Sequence, residues 1–305
     1  MTNAKVAQPF LKWAGGKSQL LTQIEPFFPQ ALKEGLIKRY IEPFVGGGAV
    51  FLYLASAYPI SEYFICDVNP ELILAYQTIQ KNVEELINLL KEIQANYLIL
   101  SEQERKKYFY KIRSHYNQQR KEINFDIYSK SCLNRTSQLI FLNRTCFNGL
   151  FRVNSKGEFN VPFGRYKDPR ICDEENLRSL AQVLEKTEIQ RGDFSQCQKF
   201  VNKESFVYFD PPYRPISKTS NFNAYSAQIF KDQDQLRLRD FFQQLDRKGA
   251  KLMLSNSDPK NEDPNDTFFE EAYQGYQIKR VQARRNINSK GSKRGQINEI
   301  LIRNY

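Results

Sequence analysis

Short runs of β-branched and aromatic residues, each bounded by turn residues, recur along the chain and restrict its fold more than any other feature. They lie at residues 40–44, 62–66, 187–190, 205–209, 251–255, 276–281 and 297–302. Segments with helical patterning separate most of these runs, and this alternation predicts a mostly parallel α/β sheet with helices on both faces. The loop between the last two runs is polar and leaves no room for a helix. We therefore expect these two strands to pair antiparallel.

The alternation is interrupted once, from about residue 71 to about residue 184, where the pattern is mainly helical. Residues 69–71 combine Asn, Pro and Glu in an order that is typical of a helix start. Asn82, followed three residues later by Glu85, resembles a capping box. We interpret this segment as a second, mainly helical domain that is inserted into the sheet.

One hairpin candidate lies inside the helical segment. It spans residues 150–162, and the sequence Asn-Ser-Lys-Gly at 154–157 predicts its turn. The predicted organisation is a sheet domain formed by residues 1–70 and 175–305. Residues 71–174 form the inserted domain that carries the hairpin.

Composition and charge favour an intracellular protein with a polyanionic partner. Of the 305 residues, 41% are hydrophobic, which is enough for a buried core. The 45 Lys and Arg residues exceed the 34 Asp and Glu residues, for a formal charge of +11. Such an excess of positive charge favours nucleic acid as the partner first and an anionic membrane second. The alternative is a soluble protein that is basic without binding a polyanion. Neither a signal region nor a run of about 20 apolar residues is present, so we expect a cytoplasmic protein without membrane attachment.

Cysteine and histidine usage excludes several kinds of site. The five cysteines are widely scattered, with none at C-x-x-C spacing, and His115 is the only histidine. This arrangement predicts no metal site and excludes a histidine-based catalytic triad. The odd number of cysteines argues for a reducing compartment.

Three glycines at 46–48 directly follow the first predicted strand. In a doubly wound fold a ligand meets the sheet at this point, and glycine lets the backbone approach it closely. The spacing is not G-x-G-x-x-G, because Phe51 occupies the third glycine position, and this disfavours a dinucleotide. Asp67 ends the next strand, where a carboxylate can accept hydrogen bonds from ribose hydroxyls. Both features suit a nucleoside-bearing cofactor without a pyrophosphate; the alternative is an ordinary strand–helix turn.

The strand at 205–209 leads into Asp210-Pro211-Pro212-Tyr213. An exocyclic amine on a purine ring is a poor nucleophile because its lone pair is drawn into the ring. Acceptors on both of its N–H groups would free that lone pair, and the Asp210 carboxylate and the Pro211 carbonyl can supply them. The prolines stiffen the loop, and Tyr213 offers a face on which a base can stack.

Together these motifs resemble the DNA adenine methyltransferase (Dam) family over nearly the whole chain. The matching segments are residues 10–17 (FLKWAGGK), 42–48, 148–166 and 210–213. The resemblance implies a Rossmann-like S-adenosylmethionine-dependent methyltransferase fold in which the helical insertion is the target-recognition domain. It also implies a site-specific enzyme that methylates adenine N6 in double-stranded DNA by base flipping and direct in-line transfer, with GATC as the expected site.

The resemblance assigns candidate residues to the cofactor and to catalysis. The residues implied to bind S-adenosylmethionine are Trp13, Lys17, Glu42, Phe44, Gly46, Gly48, Asp67, Asp193, Phe194 and Asp210. Asp193 and Phe194 would hold its adenine ring. The implied catalytic residues are Asp210, Pro211, Pro212 and Tyr213.

A further set of residues is predicted to contact DNA. It consists of Lys12, Phe147, Asn148, Leu150, Arg152, Pro162, Arg165, Lys290, Lys293 and Arg294. The resemblance implies that Arg152 binds a guanine, that Leu150 and Pro162 surround the thymine, and that Lys12 binds the outer guanine. Phe147, which replaces the Tyr of better-known members, would fill the space left by the displaced base.

The last three cations of this set lie in a loop, residues 284–294, that carries five cations and joins the last two strands. Phosphate binding is its expected role, and a solvated basic loop is the alternative.

Two other functional classes compete with the leading interpretation. The first is an adenine N6 methyltransferase that acts on structured RNA, which the full insertion with its hairpin disfavours. The second is a DNA-binding module without catalysis, which the intact motif at 210–213 and the glycine loop disfavour. Cytosine C5 methylation typically uses a cysteine that follows a proline, and none of the five cysteines does so. We expect a monomer, and pairing with a restriction endonuclease and a solitary role are equally compatible with the sequence.

Overall fold

A central sheet organises the part of the chain that the computed structural model describes, namely residues 6–13, 15–214, 230–284 and 296–305. Its strands are β1 (Arg39–Glu42), β2 (Glu62–Asp67), β3 (Thr187–Arg191), β4 (Ser205–Phe209), β5 (Lys251–Ser257), β6 (Gln277–Arg284) and β7 (Gln296–Arg303). The seven strands have the order β3-β2-β1-β4-β5-β7-β6. Strands β1 to β5 pair in parallel, whereas β7 is antiparallel to both β5 and β6. The predicted α/β sheet and its antiparallel last pair are therefore confirmed.

Helices cover both faces of this sheet. They are α1 (Leu21–Ile24), α2 (Gln30–Lys33), α3 (Ala49–Ala57), α4 (Pro70–Leu98), α5 (Glu102–Gln119), α6 (Lys130–Thr145), α7 (Glu174–Leu184), α8 (Asp232–Asp246) and α9 (Phe268–Ala272). Helices α3 to α7 pack on one face and α8 and α9 on the other. Successive residues of a strand point to opposite faces of the sheet. Tyr40 therefore packs in the core on the face covered by α3 to α7, and Ile41 packs in the core on the face covered by α8 and α9. None of the described helices is long and apolar enough to cross a membrane.

The predicted helix start at 69–71 is confirmed, and the second predicted start, Asn82, lies where two helical stretches meet. The Asn69 side chain accepts hydrogen bonds from the N–H groups of Glu71 and Leu72, and Pro70 is the first residue of α4. At Asn82 the backbone is non-helical (φ −142°, ψ 47°), and α4 kinks between its two stretches. The Asn82 side chain accepts a hydrogen bond from the Tyr128 hydroxyl at 2.8 Å. A tertiary contact therefore holds the chain at the kink.

The hairpin candidate is present as a turn with one isolated bridge, between Val153 and Phe159, rather than as two regular strands. The N–H of Gly157 donates to the Asn154 carbonyl at 2.8 Å, which forms the predicted turn. The side chain of Asn117 accepts a hydrogen bond from the N–H of Phe159 at 2.9 Å and donates one to the Phe159 carbonyl at 3.1 Å. The cross-strand hydrogen bonds come from the neighbouring residues, since the N–H groups of Asn154 and Asn160 donate to the carbonyls of Glu158 and Arg152 at 2.9 and 3.1 Å. The groups of Phe159 therefore face away from Val153, and Asn117 binds this outer edge.

The helical segment between β2 and β3 shares its core with the sheet. Tyr76 of α4 and Phe141 of α6 belong to the same buried cluster as Tyr40 and Tyr208 on the strands. The division into a sheet domain and an inserted recognition domain remains a prediction, since the apolar core is continuous across that boundary.

A buried ion pair joins three of the helices in this segment. Arg135 of α6 makes a two-pronged contact with Glu71 of α4, with Nε 2.8 Å from Oε2. Its remaining NH1 group donates to the carbonyl of Tyr116 on α5, and the guanidinium lies 3.9 Å from the centre of the Tyr116 ring. The side chains of Arg135 and Glu71 are only 1% and 8% exposed, so each charge depends on the other for compensation.

We expect Arg135→Ala to lower the free energy of unfolding by about 3–5 kcal/mol, because it leaves the Glu71 carboxylate buried and unpaired. Urea denaturation followed by circular dichroism measures this. The matched control is Arg39→Ala, whose partner Glu62 is 61% exposed; the loss there should stay below about 1 kcal/mol. Equal losses in the two variants would contradict this account of the buried pair.

Candidate active site

A cavity of about 330 Å³ opens at the carboxyl ends of β1, β2 and β4. The carboxyl ends of parallel strands share one edge of the sheet, which is where α/β folds bind their ligands. Every residue that the sequence implied for the cofactor and for catalysis lines this cavity, namely Trp13, Lys17, Glu42, Phe44, Gly46, Gly48, Asp67, Asp193, Phe194, Asp210, Pro211, Pro212 and Tyr213. Their individual roles remain predictions.

The glycine loop between β1 and α3 forms the floor of the cavity. Gly46 and Gly48 have φ values of 48° and 72°, in the left-handed region that favours glycine. A Cβ atom on Gly48 would lie 2.6 Å from the Tyr76 hydroxyl, and one on Gly46 would lie 3.2 Å from the Trp13 ring. The N–H of Gly46 donates to the Asp67 carboxylate at 3.1 Å. The loop is thus fixed against the end of β2, and its glycines keep the cavity open.

Two acids, the buried Glu42 and the half-buried Asp67, belong to the wall of the cavity. Burial raises the pKa of Glu42 well above its ordinary value, although the Tyr40 hydroxyl donates a hydrogen bond to it at 2.6 Å. Burial also raises the pKa of Asp67, against the effect of the N–H groups of Asn69 and Gly46. Desolvated acids next to a cavity are typical of functional sites, because a ligand with hydroxyl or ammonium groups can satisfy them.

The Asp210 carboxylate is held by two donors on the same oxygen. Lys17 Nζ lies 2.8 Å from Oδ1, and the Ser255 hydroxyl donates to Oδ1 at 2.9 Å. Ser255 in turn accepts a hydrogen bond from Tyr208 on the neighbouring strand β4, also at 2.9 Å. Gln235 donates to the Pro212 carbonyl at 3.1 Å and holds the loop from the other side. The sequence does not mark Ser255 or Gln235 as site residues, because only the fold brings them next to Asp210 and Pro212.

The ring of Tyr213 is fixed next to this carboxylate. Its hydroxyl donates to Glu299 Oε2 at 2.6 Å, and Lys17 Nζ lies 4.6 Å from the ring centre. Burial, together with the negative charges of Asp210 and Glu299, raises the pKa of Tyr213 well above its ordinary value. The hydroxyl therefore stays protonated and donates. Sequence reasoning missed Glu299, although a lone acid inside the apolar run of β7 was a usable signal.

Aromatic rings form the opposite end of the cavity. The rings of Phe44, Phe194 and Phe230 lie 5.5 to 6.4 Å from one another. Arg237 of α8 covers the Phe194 ring at 4.2 Å. It also makes two hydrogen bonds to the Asp193 carboxylate, at 2.9 and 2.8 Å. Sequence reasoning missed Phe230 and Arg237, since nothing in the chain before β5 marks α8 as part of the site.

The Arg237 contact determines the charge of Asp193. Burial by itself raises the pKa of Asp193, but the hydrogen bonds from Arg237 and Ser195 outweigh it and lower the value to about 2. Both carboxylate oxygens are engaged by the guanidinium. The Phe194 ring also lines the cavity, and it offers an apolar surface that a flat ligand ring can contact.

These features fit S-adenosylmethionine. The glycine loop forms the floor of the cavity without side chains of its own. The carboxylates of Glu42 and Asp67 can accept hydrogen bonds from the hydroxyl and ammonium groups of this cofactor, and the phenylalanine rings suit its adenine. Among the described residues, no group of three or more His, Cys, Asp or Glu side chains could hold a metal ion.

Part of the predicted DNA-contacting set forms one patch beside the cavity. Phe147, 53% exposed, donates its N–H to the exposed Pro162 at 2.8 Å. The Lys12 side chain packs across Gly149, where a Cβ atom would lie 2.3 Å from Lys12 Cδ. The Lys12 ammonium lies 5.2 Å from the centre of the Tyr166 ring. The fold therefore brings the N-terminal segment together with the loop that follows α6.

The remaining members of the set differ in their surroundings. Asn148 is exposed and has a left-handed φ of 57°, and Leu150 is half-buried. The exposed Arg152 donates from Nε to Asn160 at 2.8 Å, which orients its guanidinium. Arg165 is exposed and lies 3.9 Å from Glu102. The other predicted members, Lys290, Lys293 and Arg294, lie outside the described residues.

A stack of two rings connects this patch to the cavity. Trp13, whose ring lines the cavity, stacks on Phe151 with ring centres 5.1 Å apart and planes at 19°. The Asn143 side chain bonds to both backbone groups of Lys12, at 2.9 and 3.0 Å, and to the Gly149 carbonyl at 2.9 Å. The glycine loop and the loop that follows α6, which is predicted to contact DNA, therefore contact the same short N-terminal segment.

Sequence comparison agrees with this site. The profile of the D12 class N6 adenine-specific DNA methyltransferase family matches residues 13–287. The chain is 49% identical over 299 residues to the Type II methyltransferase M.MjaIII of Methanocaldococcus jannaschii, covering 98% of this chain and 99% of that protein. It is 40% identical over 300 residues to the Type II methyltransferase M1.LlaDCHI of Lactococcus lactis subsp. cremoris, covering 98% and 95%. It is 34% identical over 295 residues to the DNA adenine methylase of Haemophilus influenzae, covering 96% and 92%.

The family match spans the glycine loop, the helical segment and the loop that carries Asp210. It therefore includes the walls of the cavity from Trp13 to Arg237. The chain belongs to the D12 class of N6 adenine-specific DNA methyltransferases, which take their methyl group from S-adenosylmethionine.

Proposed function

We propose that this enzyme methylates adenine N6 within GATC in double-stranded DNA, after the target base has left the helix, by direct in-line transfer. The single observation that carries the proposal is the placement of Asp210. Its Oδ1 is held by Lys17 and Ser255, at the wall of a cavity that fits the methyl donor. The other carboxylate oxygen, Oδ2, would then accept a hydrogen bond from the substrate.

Asp210 and Pro211 would act on the amine of the target adenine. Asp210 Oδ2 accepts one N6 hydrogen and the Pro211 carbonyl accepts the other, so the nitrogen lone pair is withdrawn from the ring and becomes available. S-adenosylmethionine, when bound, supplies an electrophilic methyl group on its sulfonium. Positive charge then develops on N6, and the Asp210 carboxylate stabilises it more strongly than it stabilises the neutral ground state. No covalent bond to the protein is required.

Base flipping is part of the proposal because a paired adenine cannot bring its N6 atom to Asp210 in the cavity wall. The N6 atom of a paired adenine is inside the duplex, so the base must rotate out, which costs a few kcal/mol. Tyr213 offers a ring on which the extruded base can stack. Phe147, with 53% of its surface exposed beside the cavity, is suited to fill the gap in the duplex.

We assign recognition of the DNA sequence to the patch beside the cavity and to the loop that follows it in the chain. Residues 148–166 resemble those of Dam-family members that modify GATC, and this supports the proposed sequence. Arg152, oriented by Asn160, would bind a guanine through two hydrogen bonds. Leu150 and Pro162 would contact the thymine methyl group, and Lys12 would bind the outer guanine.

The cellular role is proposed from the relatives. Two of them are named Type II methyltransferases, so we propose that this enzyme is paired with a restriction endonuclease. We also propose that it works in the cytoplasm as a monomer. A restriction endonuclease encoded beside it, with activity blocked by this enzyme's methylation, would support the pairing. Methylation of structured RNA in preference to duplex DNA would contradict the DNA assignment.

We expect Asp210→Ala to abolish methyl transfer while cofactor and DNA remain bound, because the lost interaction is strongest in the transition state. Asp210→Asn retains the shape and one acceptor oxygen, so weak activity should remain. Single-turnover methylation of a GATC duplex and titration with S-adenosylmethionine measure these effects. The control is Asp240→Ala, whose carboxylate is 60% exposed on α8 and should leave both quantities unchanged. A near-wild-type rate for Asp210→Ala would overturn the catalytic assignment.

We expect Arg152→Ala to relax discrimination at one guanine of the site by about 1–3 kcal/mol, the value of a good two-pronged contact. Methylation of GATC should fall, and methylation of duplexes altered at that guanine should fall less. Arg170→Ala removes the same charge from an exposed arginine outside the patch and should leave the preference intact. A uniform loss on all duplexes would place Arg152 on phosphate.

We expect replacement of Lys290, Lys293 and Arg294 by Ala to flatten the salt dependence of DNA binding. Each lost phosphate contact reduces the slope of log K against log salt by about 0.9. The control is the triple replacement of Lys106, Lys107 and Lys111, three exposed cations of α5. Fluorescence anisotropy over a series of salt concentrations measures both slopes. If the two triple variants behave alike, the basic loop is a solvated one.

A further inference from the structure

Tyr213 is held at two points that lie on different parts of the sheet. Its backbone belongs to the loop after β4, whereas its hydroxyl donates to Glu299 on β7 at 2.6 Å. A ring attached only through Cα can rotate about its side-chain bonds. A ring that is also held at its far end has one orientation.

Glu299 occupies a buried position in the antiparallel part of the sheet. In the sheet it lies between Ser257 of β5 and Val281 of β6, and it is 8% exposed. A buried carboxylate is costly unless charged or hydrogen-bonding groups compensate it. The Tyr213 hydroxyl is one such group, and Lys17 Nζ, at 4.0 Å from Oε2, is another.

Lys17 contacts both the Tyr213 ring and the Asp210 carboxylate. Its ammonium lies 4.6 Å from the ring centre and contacts Asp210 at the same time. Lys17, Asp210 and Tyr213 all line the cavity, so a base that stacks on the ring lies next to the Lys17–Asp210 pair. The angle of the ring relative to Asp210 then determines where the amine of the base lies.

We propose that Glu299 is a positioning residue for methyl transfer, which fixes the Tyr213 ring in the plane on which the target adenine stacks. The inference rests on the proposed function, since it concerns the same base and the same Asp210. It assigns a role in the reaction to the antiparallel end of the sheet. Small errors in the placement of reacting groups reduce rates strongly, so loss of this contact should affect kcat rather than cofactor binding.

The variants Tyr213→Phe, Glu299→Ala and Glu299→Gln test the proposal. Tyr213→Phe keeps the ring and removes the hydroxyl, and we expect kcat to fall about tenfold, equivalent to about 1.4 kcal/mol, with the affinity for S-adenosylmethionine unchanged. Glu299→Ala should lower kcat at least as much, since it also removes the carboxylate near Lys17. Glu299→Gln should recover much of the rate, because its amide oxygen still accepts from the hydroxyl. The double variant Tyr213→Phe/Glu299→Ala should be no slower than Glu299→Ala alone, since the contact of the hydroxyl is already lost there.

The chain offers a matched control, because the Tyr276 hydroxyl donates to Asp246 at 2.9 Å away from the cavity. Tyr276→Phe should leave kcat unchanged. A wild-type kcat for Tyr213→Phe, or additive losses in the double variant, would overturn the positioning role alone. Failure of the wild-type protein and the control to methylate adenine N6 in the GATC duplex would contradict the proposed function, and the positioning role with it.

Discussion

The Lys17 ammonium is the interaction on which the site depends, because it joins segments that are far apart in sequence. It is 5% exposed and lies 2.8 Å from Asp210 and 4.0 Å from Glu299. Without a cation there, two desolvated carboxylates would face each other at the end of the sheet, an arrangement that electrostatics strongly disfavours. The N-terminal segment is therefore part of the cavity wall that carries Asp210, and the Lys17 ammonium contacts residues from both the parallel and the antiparallel part of the sheet.

The same segment also reaches the surface assigned to DNA. Trp13 contacts the glycine loop with one part of its ring and stacks on Phe151 with another. Asn143 holds the backbone of Lys12 next to Gly149. The cavity and the loop after α6 that is proposed to contact DNA are thus packed on either side of Lys12 and Trp13. A shift of one is transmitted to the other through close-packed groups, since protein interiors have little free volume.

Two local patterns of the sequence have partners that only the fold supplies. Asn82 has the sequence context of a helix start and lies where two stretches of α4 meet, and its side chain accepts a hydrogen bond from Tyr128. Residues 150–162 make the expected turn, and the Asn117 side chain binds the outward-facing backbone groups of Phe159. These tertiary partners cannot be read from the local pattern itself.

The sequence by itself determined the strands, the antiparallel last pair, the glycine loop and the Asp210 motif, because each follows from periodicity or from local backbone and chemical requirements. The family resemblance added the cofactor-binding set, which the fold then gathered around one cavity. Only the tertiary structure decided which residues complete that site. Glu299, Ser255 and Arg237 act through Tyr213, Asp210 and Asp193, and these pairs lie 86, 45 and 44 residues apart in the chain. Contacts over such separations depend on the order of strands in the sheet, which no local segment of the chain encodes.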